Sequence, residues 1–357
     1  MPLPSVCVSI VTYNSARYIR RCLEAVLEQR GIKLDVVVVE NASFDGTLQI
    51  LQDFGERIRI LRQEVNRGFA EAQNIAIRFS RAEWVLTLNP DVLLQPDFIS
   101  TLVAAGEAHP KAGTICGKLL AIGPDFERLP ERLVDSTGIF FTPAMRHFDR
   151  GGREPDQASF DRPEYVFGAS AAAALFRRSM IEDVAVEGCF FDPDFFAYRE
   201  DADVAWRAQL LGWKCLYTPA ATAYHVRTLI PGNRRAVPAA INMHSVKNRF
   251  LMRIKNATGG LYRRFWLPMT ARDLVVLAGM LFWEPRSLPA LWHAAKCVPA
   301  ALRKRRQIMR RKRVDDEVLA QWFSFAPAAQ PLTTVAPQVR AAAVMGSPEL
   351  VEMNDVA

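Results

Sequence analysis

The run Asp35-Val36-Val37-Val38-Val39-Glu40 places four consecutive β-branched residues side by side with no polar alternation. A strand written that way is covered on both faces, as in a parallel sheet sandwiched between helices. Three more apolar runs repeat the theme, Val6 to Val11, Ile58 to Leu61 and Trp84 to Leu88. Between them, Ala16 to Glu28, Leu48 to Phe54 and Ala70 to Phe79 carry apolar residues at helical spacing. The order is β-α-β-α-β-α-β, which predicts an α/β fold with a mostly parallel sheet and helices on both faces. At 357 residues the chain has room for one large domain with appendages, or for two domains.

The fourth run stops at Asn89-Pro90-Asp91. Pro90 cannot donate a ladder hydrogen bond and biases Asn89 to an extended shape, so Asp91 is left at the strand's carboxyl end. Open parallel sheets bind ligands just outside those ends. A carboxylate there suits a hard divalent cation bridging phosphate oxygens, although Asn, Pro and Asp are also ordinary turn residues. No G-x-G-x-x-G and no G-x-x-x-x-G-K-[ST] follows any strand, which disfavours a dinucleotide oxidoreductase and a P-loop NTPase. The six cysteines form no Cys-x-x-Cys pair, which argues for a reducing compartment and against a zinc site. The start, Met1-Pro-Leu-Pro-Ser, goes directly into a strand, and no signal peptide is expected.

Taken together, Ser9-Ile10-Val11-Thr12-Tyr13-Asn14, Val39-Glu40-Asn41-Ala42-Ser43-Phe44-Asp45-Gly46-Thr47, Asn66-Arg67-Gly68-Phe69 with Asn74, and Asn89-Pro90-Asp91 resemble family 2 glycosyltransferases. The match is nearest to the bacterial rhamnosyltransferase-like branch and runs from about Val6 to about His225. The resemblance implies a GT-A fold, an inverting mechanism, a nucleotide-sugar donor and a divalent metal, Mg2+ or Mn2+. Carried onto this chain, it implies that Thr12 and Tyr13 frame the nucleotide with Glu40 near the base, and that Asn14 and Asn41 belong to the same nucleotide-sugar site. Arg67, Gly68 and Asn74 would lie along the donor, with Asn89 beside it. The family usually has Asp where this chain has Glu40, and Asn89-Pro90-Asp91 replaces the commoner Asp-x-Asp, leaving Asp91 as the direct metal ligand.

Further on, Pro96 to His109 reads as a helix and Gly113 to Leu120 as a strand, whose Lys118 either pairs with donor phosphate or stands in solvent. Gly123 to Pro163 is dense in charge, Pro and Gly and is expected to be a mobile active-site loop. Phe167 to Phe176, small and apolar, resembles the family strand on the acceptor side. Glu200, Asp201 and Asp203 cluster where a helix starts, a place that stabilises carboxylates and is often capped by them. By resemblance Asp201 is the general base, Glu200 orients it or binds acceptor, and Asp203 begins the helix. His225, after Trp213 to Tyr217 and Pro219 to Tyr224, stands where the family has a second metal ligand.

The charge is uneven. The chain is +7 overall, yet His244 to Arg313 holds 17 Lys/Arg against Asp273 and Glu284, so the rest is net acidic. Met243 to Asn256 reads as an amphipathic helix. Leu274 to Trp283 is the longest clean apolar run, with only ten residues, well short of the roughly 20 a bilayer span needs. With Trp266, Trp283 and Trp292 and the clusters Arg303-Lys304-Arg305-Arg306 and Arg310-Arg311-Lys312-Arg313, the segment suggests a helix on an anionic membrane surface. No base-stacking or zinc module accompanies those clusters, so no nucleic acid is expected.

The expected organisation is a GT-A domain over 1–240, a basic amphipathic helical region over 241–325 and a disordered Ala/Pro-rich tail over 326–357. The expected activity is transfer of a sugar, plausibly rhamnose from dTDP-rhamnose, to a lipid-linked or polysaccharide acceptor at the cytoplasmic membrane face. Two rivals stand beside it: a UDP-hexose or UDP-galactofuranose transferase, and a catalytically silent nucleotide-sugar-binding partner of an assembly complex.

Overall fold

The structure is a computed structural model that describes residues 3–227 and 239–332. The first half alternates as the periodicity predicts: β1 (Ser5–Thr12), α1 (Ile19–Leu27), β2 (Lys33–Glu40), α2 (Thr47–Gln52), β3 (Arg59–Arg62), α3 (Gly68–Phe79), β4 (Trp84–Leu88), β5 (Val92–Leu94), α4 (Phe98–Ala108) and β6 (Ala112–Ala121). Then come β7 (Val134–Ser136), β8 (Ile139–Phe141), β9 (His147–Asp149), β10 (Glu164–Val166), β11 (Ala173–Arg177), α5 (Arg178–Val184), α6 (Glu200–Leu210) and β12 (Lys214–His225). The C-terminal part adds α7 (Ala239–Asn256), α8 (Gly259–Phe282), α9 (Pro289–Arg311), α10 (Asp316–Ala320) and β13 (Gln330–Pro331).

The main sheet runs β13-β10-β12-β6-β11-β4-β1-β2-β3. Strands β4, β1, β2 and β3 are mutually parallel, whereas β11 enters antiparallel between β4 and β6. Residues Val37 and Val39 enter one buried apolar cluster, and Val36 and Val38 enter the other. The valine run is therefore unalternated because both of its faces are core. Strand β12 continues through Pro219, where the sequence breaks into two pieces, by a register shift between Tyr217 and Thr222. A bulge is where a residue without an N–H is tolerated in a sheet.

The structure bears on three further segments. The segment from Gly123 to Pro163 is organised by β7 pairing with β6 and by the β8–β9 hairpin, so its backbone groups find ladder partners. The helical region is joined to the catalytic body: Leu251, Met252, Leu261, Phe265, Ala301 and Ile308 belong to the same core cluster as α6. Of the expected tail, Gln330–Pro331 pairs with β10, and residues 333–357 lie outside the described residues.

The polybasic clusters are largely committed internally. Arg303 pairs with Glu187, Lys304 with Asp192 and Asp194, Arg311 and Arg313 with Asp183, and Lys312 with Asp316. Arg305 donates to the carbonyls of Ile254 and Ala257. Of the two clusters, Arg306 and Arg310 are exposed and have no ion pair or hydrogen bond among the described residues.

Candidate active site

Strand β4 ends at Leu88, and a turn closed by the Val92 N–H on the Asn89 carbonyl carries Asp91 out of the sheet. Strand β5 then pairs antiparallel with the end of β12, with His225 directly across from Val92. The Val226 N–H donates to the Asp91 carbonyl at 3.1 Å. That pairing brings His225 Nε2 to 3.4 Å from Asp91 Oδ1. On its other side His225 Nδ1 lies 2.8 Å from Asp135 Oδ2, and Arg227 Nε pairs with Asp135 Oδ1 at 2.7 Å. Burial alone would push the His225 pKa down, but its hydrogen bonds to Asp135 and Asp91 override this and raise it to about 9. In the metal-free protein His225 is therefore an imidazolium held between two carboxylates.

Two cavities meet at Asp91. One, of about 490 Å3, is lined by Tyr13, Asn14, Asn41, Asn66, Gly68 and Phe196 among others, with Asn89, Asp91 and Tyr198 on its wall. The other, of about 470 Å3, also has Asn89, Asp91 and Tyr198 on its wall and adds Glu200, Asp201, His225, Arg227 and Asp149. Each falls within the usual size of a small-molecule site.

Asp201 faces the second cavity from the first turn of α6. Its Oδ1 accepts the Ala202 N–H at 2.7 Å and its Oδ2 the Ala171 N–H at 3.4 Å. Burial raises its pKa to about 6 against those donors, with Asp149 adding to the rise. Glu200 is pushed well above the usual carboxylate range by burial and by Asp201. The loop leading into α6 is strained: Phe196, Tyr198 and Arg199 have φ of 64°, 71° and 71°, a conformation costing about 1–3 kcal/mol per non-glycine residue. Its other wall is Gly68, φ +78°, where an added Cβ would sit 2.5 Å from the Phe196 carbonyl oxygen.

Of the residues singled out in the sequence, the structure brings Tyr13, Asn14, Asn41, Gly68, Asn89, Asp91, Glu200, Asp201 and His225 to the joined cavities. Others are placed elsewhere. Thr12 is fully buried and its hydroxyl donates to the Val39 carbonyl at 3.4 Å. Glu40 accepts the Ser43 N–H and borders a separate small pocket with Arg62 and Gln63. Arg67 is exposed and reaches back to Gln63 Oε1 at 2.9 Å. Asn74 clasps the backbone of Phe191 through both ends of its amide. Lys118, expected at donor phosphate or in solvent, is buried and neutralised by Asp156 and Asp161 at 2.8 and 2.6 Å. Asp203 is fully buried, salt-bridged to Arg207 and Lys255.

Sequence reasoning missed Asp135, Asp149, His147, Tyr198 and Arg227. Asp135 and Asp149 lie in the segment expected to be mobile, and no motif marks them. The one usable signal was Leu133-Val134 before Asp135, a short apolar pair that becomes β7.

The donor set tests the expected metal. A carboxylate on the wall shared by the two cavities and an imidazole nitrogen 3.4 Å from it, lining one of them, suit a divalent ion that completes its shell with phosphate oxygens and water. Among the described residues no group of three or more His, Cys, Asp or Glu is spaced to hold an ion unaided, so the residues fit a cation shared with a substrate, not a closed structural site.

A half-parallel α/β sheet with paired cavities at its strand ends has the GT-A architecture. The family model for Glycosyl transferase family 2 matches residues 7–185, and the chain belongs to that family and is a glycosyltransferase. Over 236 residues it is 27% identical to the N-acetylglucosaminyl-diphospho-decaprenol L-rhamnosyltransferase of Mycobacterium tuberculosis (strain CDC 1551 / Oshkosh), covering 61% of this chain and 75% of that one. Over 322 residues it is 26% identical to the Succinoglycan biosynthesis protein ExoO of Rhizobium meliloti (strain 1021), covering 84% of each. The fold is shared with S. aureus TarS 1-349 in complex with UDP-GlcNAc, at a TM-score of 0.54 and 17% identity over 85% of this chain and 88% of that one. It is shared too with GalNAc-T7 crystallised with UDP, GalNAc and Mn2+, at 0.56 and 14% over 71% of this chain and 48% of that one.

Proposed function

We propose that the protein is an inverting, metal-dependent glycosyltransferase that moves a sugar from a nucleoside diphosphate donor to a hydroxyl of a lipid-linked or polysaccharide acceptor. One observation carries this reading: Asp91 stands on the wall shared by two cavities, with the carboxylate pair that opens α6, Glu200 and Asp201, facing one of them. The cavity of Tyr13, Asn14, Asn41 and Gly68 takes the nucleotide, and the cavity of Asp201 takes the acceptor.

Asp91 and His225 would hold Mg2+ or Mn2+, which when bound offsets the charge that develops on the departing diphosphate. Asp135 fixes the His225 ring from behind, as carboxylates behind metal-binding imidazoles do. Asp201 accepts the acceptor hydroxyl proton as that oxygen forms its bond to the anomeric carbon and the bond to the phosphate oxygen breaks. One such base, opposite the leaving nucleotide, is enough for inversion.

A rhamnosyl donor activated by dTDP is favoured by the rhamnosyltransferase relative. A UDP-sugar is the second reading, favoured by the UDP-bound structural neighbours. The same rhamnosyltransferase, named for a diphospho-decaprenol substrate, supports a lipid-linked acceptor.

A place on the inner membrane surface is supported by α8. It is 24 residues long with a mean hydropathy of 1.4 over its most apolar window, long and apolar enough to cross a membrane by length and composition, yet only 17% of that window is buried. Trp266, Leu267, Leu274, Leu281, Phe282 and Trp283 are exposed, a series of large apolar side chains along one helix of the kind that marks an interaction or membrane surface. Asp273 in its middle is paired with Arg249 and Arg253 of α7, which favours a helix lying along the surface beside α7.

Asp201→Asn tests the enzymatic core of this reading. Transfer, or hydrolysis of dTDP-rhamnose or UDP-GlcNAc in the presence of Mn2+, should fall by about 10²–10⁴ while binding of dTDP or UDP persists. Retained turnover removes Asp201 as the base.

A further inference from the structure

Helix α7 follows the active-site segments in the chain, lies outside the residues that match the family model, and has no role in the reaction as described so far. Yet residues 244–248 touch nearly every residue of the strained loop that delivers Glu200 and Asp201. The His244 ring stacks on Phe196 with centroids 4.8 Å apart and planes 14° apart. Ser245 accepts from the Arg199 guanidinium through its carbonyl at 2.9 Å and its hydroxyl at 3.3 Å. Lys247 donates to the Asp194 carbonyl. At the centre is Asn248, fully buried, whose Nδ2 donates to the carbonyls of Phe195, Ala197 and Tyr198 at 2.9, 2.9 and 2.7 Å.

We propose that Asn248 is a positioning residue for the transferase reaction: it locks the peptide planes of residues 195–199 and thereby fixes where the Asp201 carboxylate stands against the acceptor. This deepens the assignment of Asp201 as base and rests on it. The geometry is specific to a donor. Tyr198 and Arg199 both have φ of 71°, and the peptide between them leads directly into the first turn of α6, whose N-cap is Arg199, so its rotation would re-aim that turn. Its carbonyl is the Tyr198 oxygen, the shortest of the three contacts. Two N–H groups shared over three carbonyls oppose that rotation directly, because turning the Ala197 or Tyr198 carbonyl away gives up its hydrogen bond to the buried Asn248 amide. The other end of the amide, Oδ1, is buried with no partner among the described residues. A side chain retained only to fill space would be apolar there, so the amide's role is donation to the loop. The loop's first carbonyls are also tied to α3 through the Ala70 N–H on the Phe196 oxygen, so Asn248 closes a bracket that holds the loop from both sides.

The test uses the full-length chain with Asn248→Ala, which removes the donors, and Asn248→Ser, which restores one. Hydrogen exchange should speed up in the peptide covering 195–201 of Asn248→Ala while peptides from β1 and β4 stay as in the wild type. Hydrolysis of dTDP-rhamnose or UDP-GlcNAc with Mn2+ should lose about 10- to 100-fold in kcat, as expected for a misplaced catalytic group, with donor KM and dTDP or UDP affinity unchanged and Asn248→Ser in between. Unchanged exchange in the loop overturns the proposal, as does a rise in exchange spread through the whole chain, which would make Asn248 a general core residue. Turnover retained by Asp201→Asn would overturn the base assignment instead, and loop exchange in Asn248→Ala would still decide whether Asn248 holds the loop.

Discussion

Lys255 Nζ lies 2.9 Å from Asp203 Oδ2, both wholly buried, and so ties the C-terminal helix α7 to the helix that carries Asp201. The same ammonium also pairs with Asp192, which Lys304 of α9 meets from the other side, and Asn256 donates to Asp203. Burial would raise the Asp192 carboxyl, but the two lysines hold it well below the usual range. Basic residues that look like a lipid-binding patch in the sequence are, at this point, the joint between the helical region and the catalytic body.

Removing Lys255 leaves two buried carboxylates each short of one cation, with Arg207 still on Asp203 and Lys304 still on Asp192. Lys255→Ala should therefore lower stability by about 3–5 kcal/mol, read as a shift of the denaturant midpoint. A loss under about 1 kcal/mol would mean that the pairs are as weak as solvent-exposed ones.

Asp201 titrates at about 6 because burial disfavours its charge. A base works only when ionised, so kcat should rise about tenfold per pH unit below that value and level off above it, with the midpoint near 6. A profile that stays flat down to pH 4.5 would show that this carboxyl does not carry the proton.

Asp135 holds the His225 ring through Nδ1, the ring nitrogen other than the one that faces Asp91. Asp135→Asn should weaken Mn2+ binding, measured calorimetrically in the presence of dTDP or UDP, by about 10- to 100-fold, and chelation with EDTA followed by added Mn2+ should restore turnover at correspondingly higher metal. Equal Mn2+ affinity in the two proteins would separate His225 from the metal.

Leu274 and Leu281 are exposed on α8 and make no contribution to the apolar core clusters. The double substitution Leu274→Glu, Leu281→Glu should abolish flotation with vesicles containing phosphatidylglycerol at an unchanged melting temperature. Flotation equal to the wild type would place the membrane contact somewhere else, or nowhere.

The sequence by itself determined the four parallel strands and the three crossovers between them. The reason is local: the unbroken run Val36 to Val39 and the helical spacing around it specify which faces are covered before any tertiary contact forms. It also singled out Asp91, through the proline that stops β4, and the carboxylates that open α6. The tertiary structure alone decided which residues meet. Asp91 and His225 are joined by the antiparallel register of β5 on β12, and Asp135 arrives from a segment with no periodicity of its own. Neither the burial of Lys118 nor the pairing of the polybasic clusters could be read beforehand. A lysine's surroundings are set by carboxylates far away in the chain, and these become neighbours only once the sheet and helices have packed.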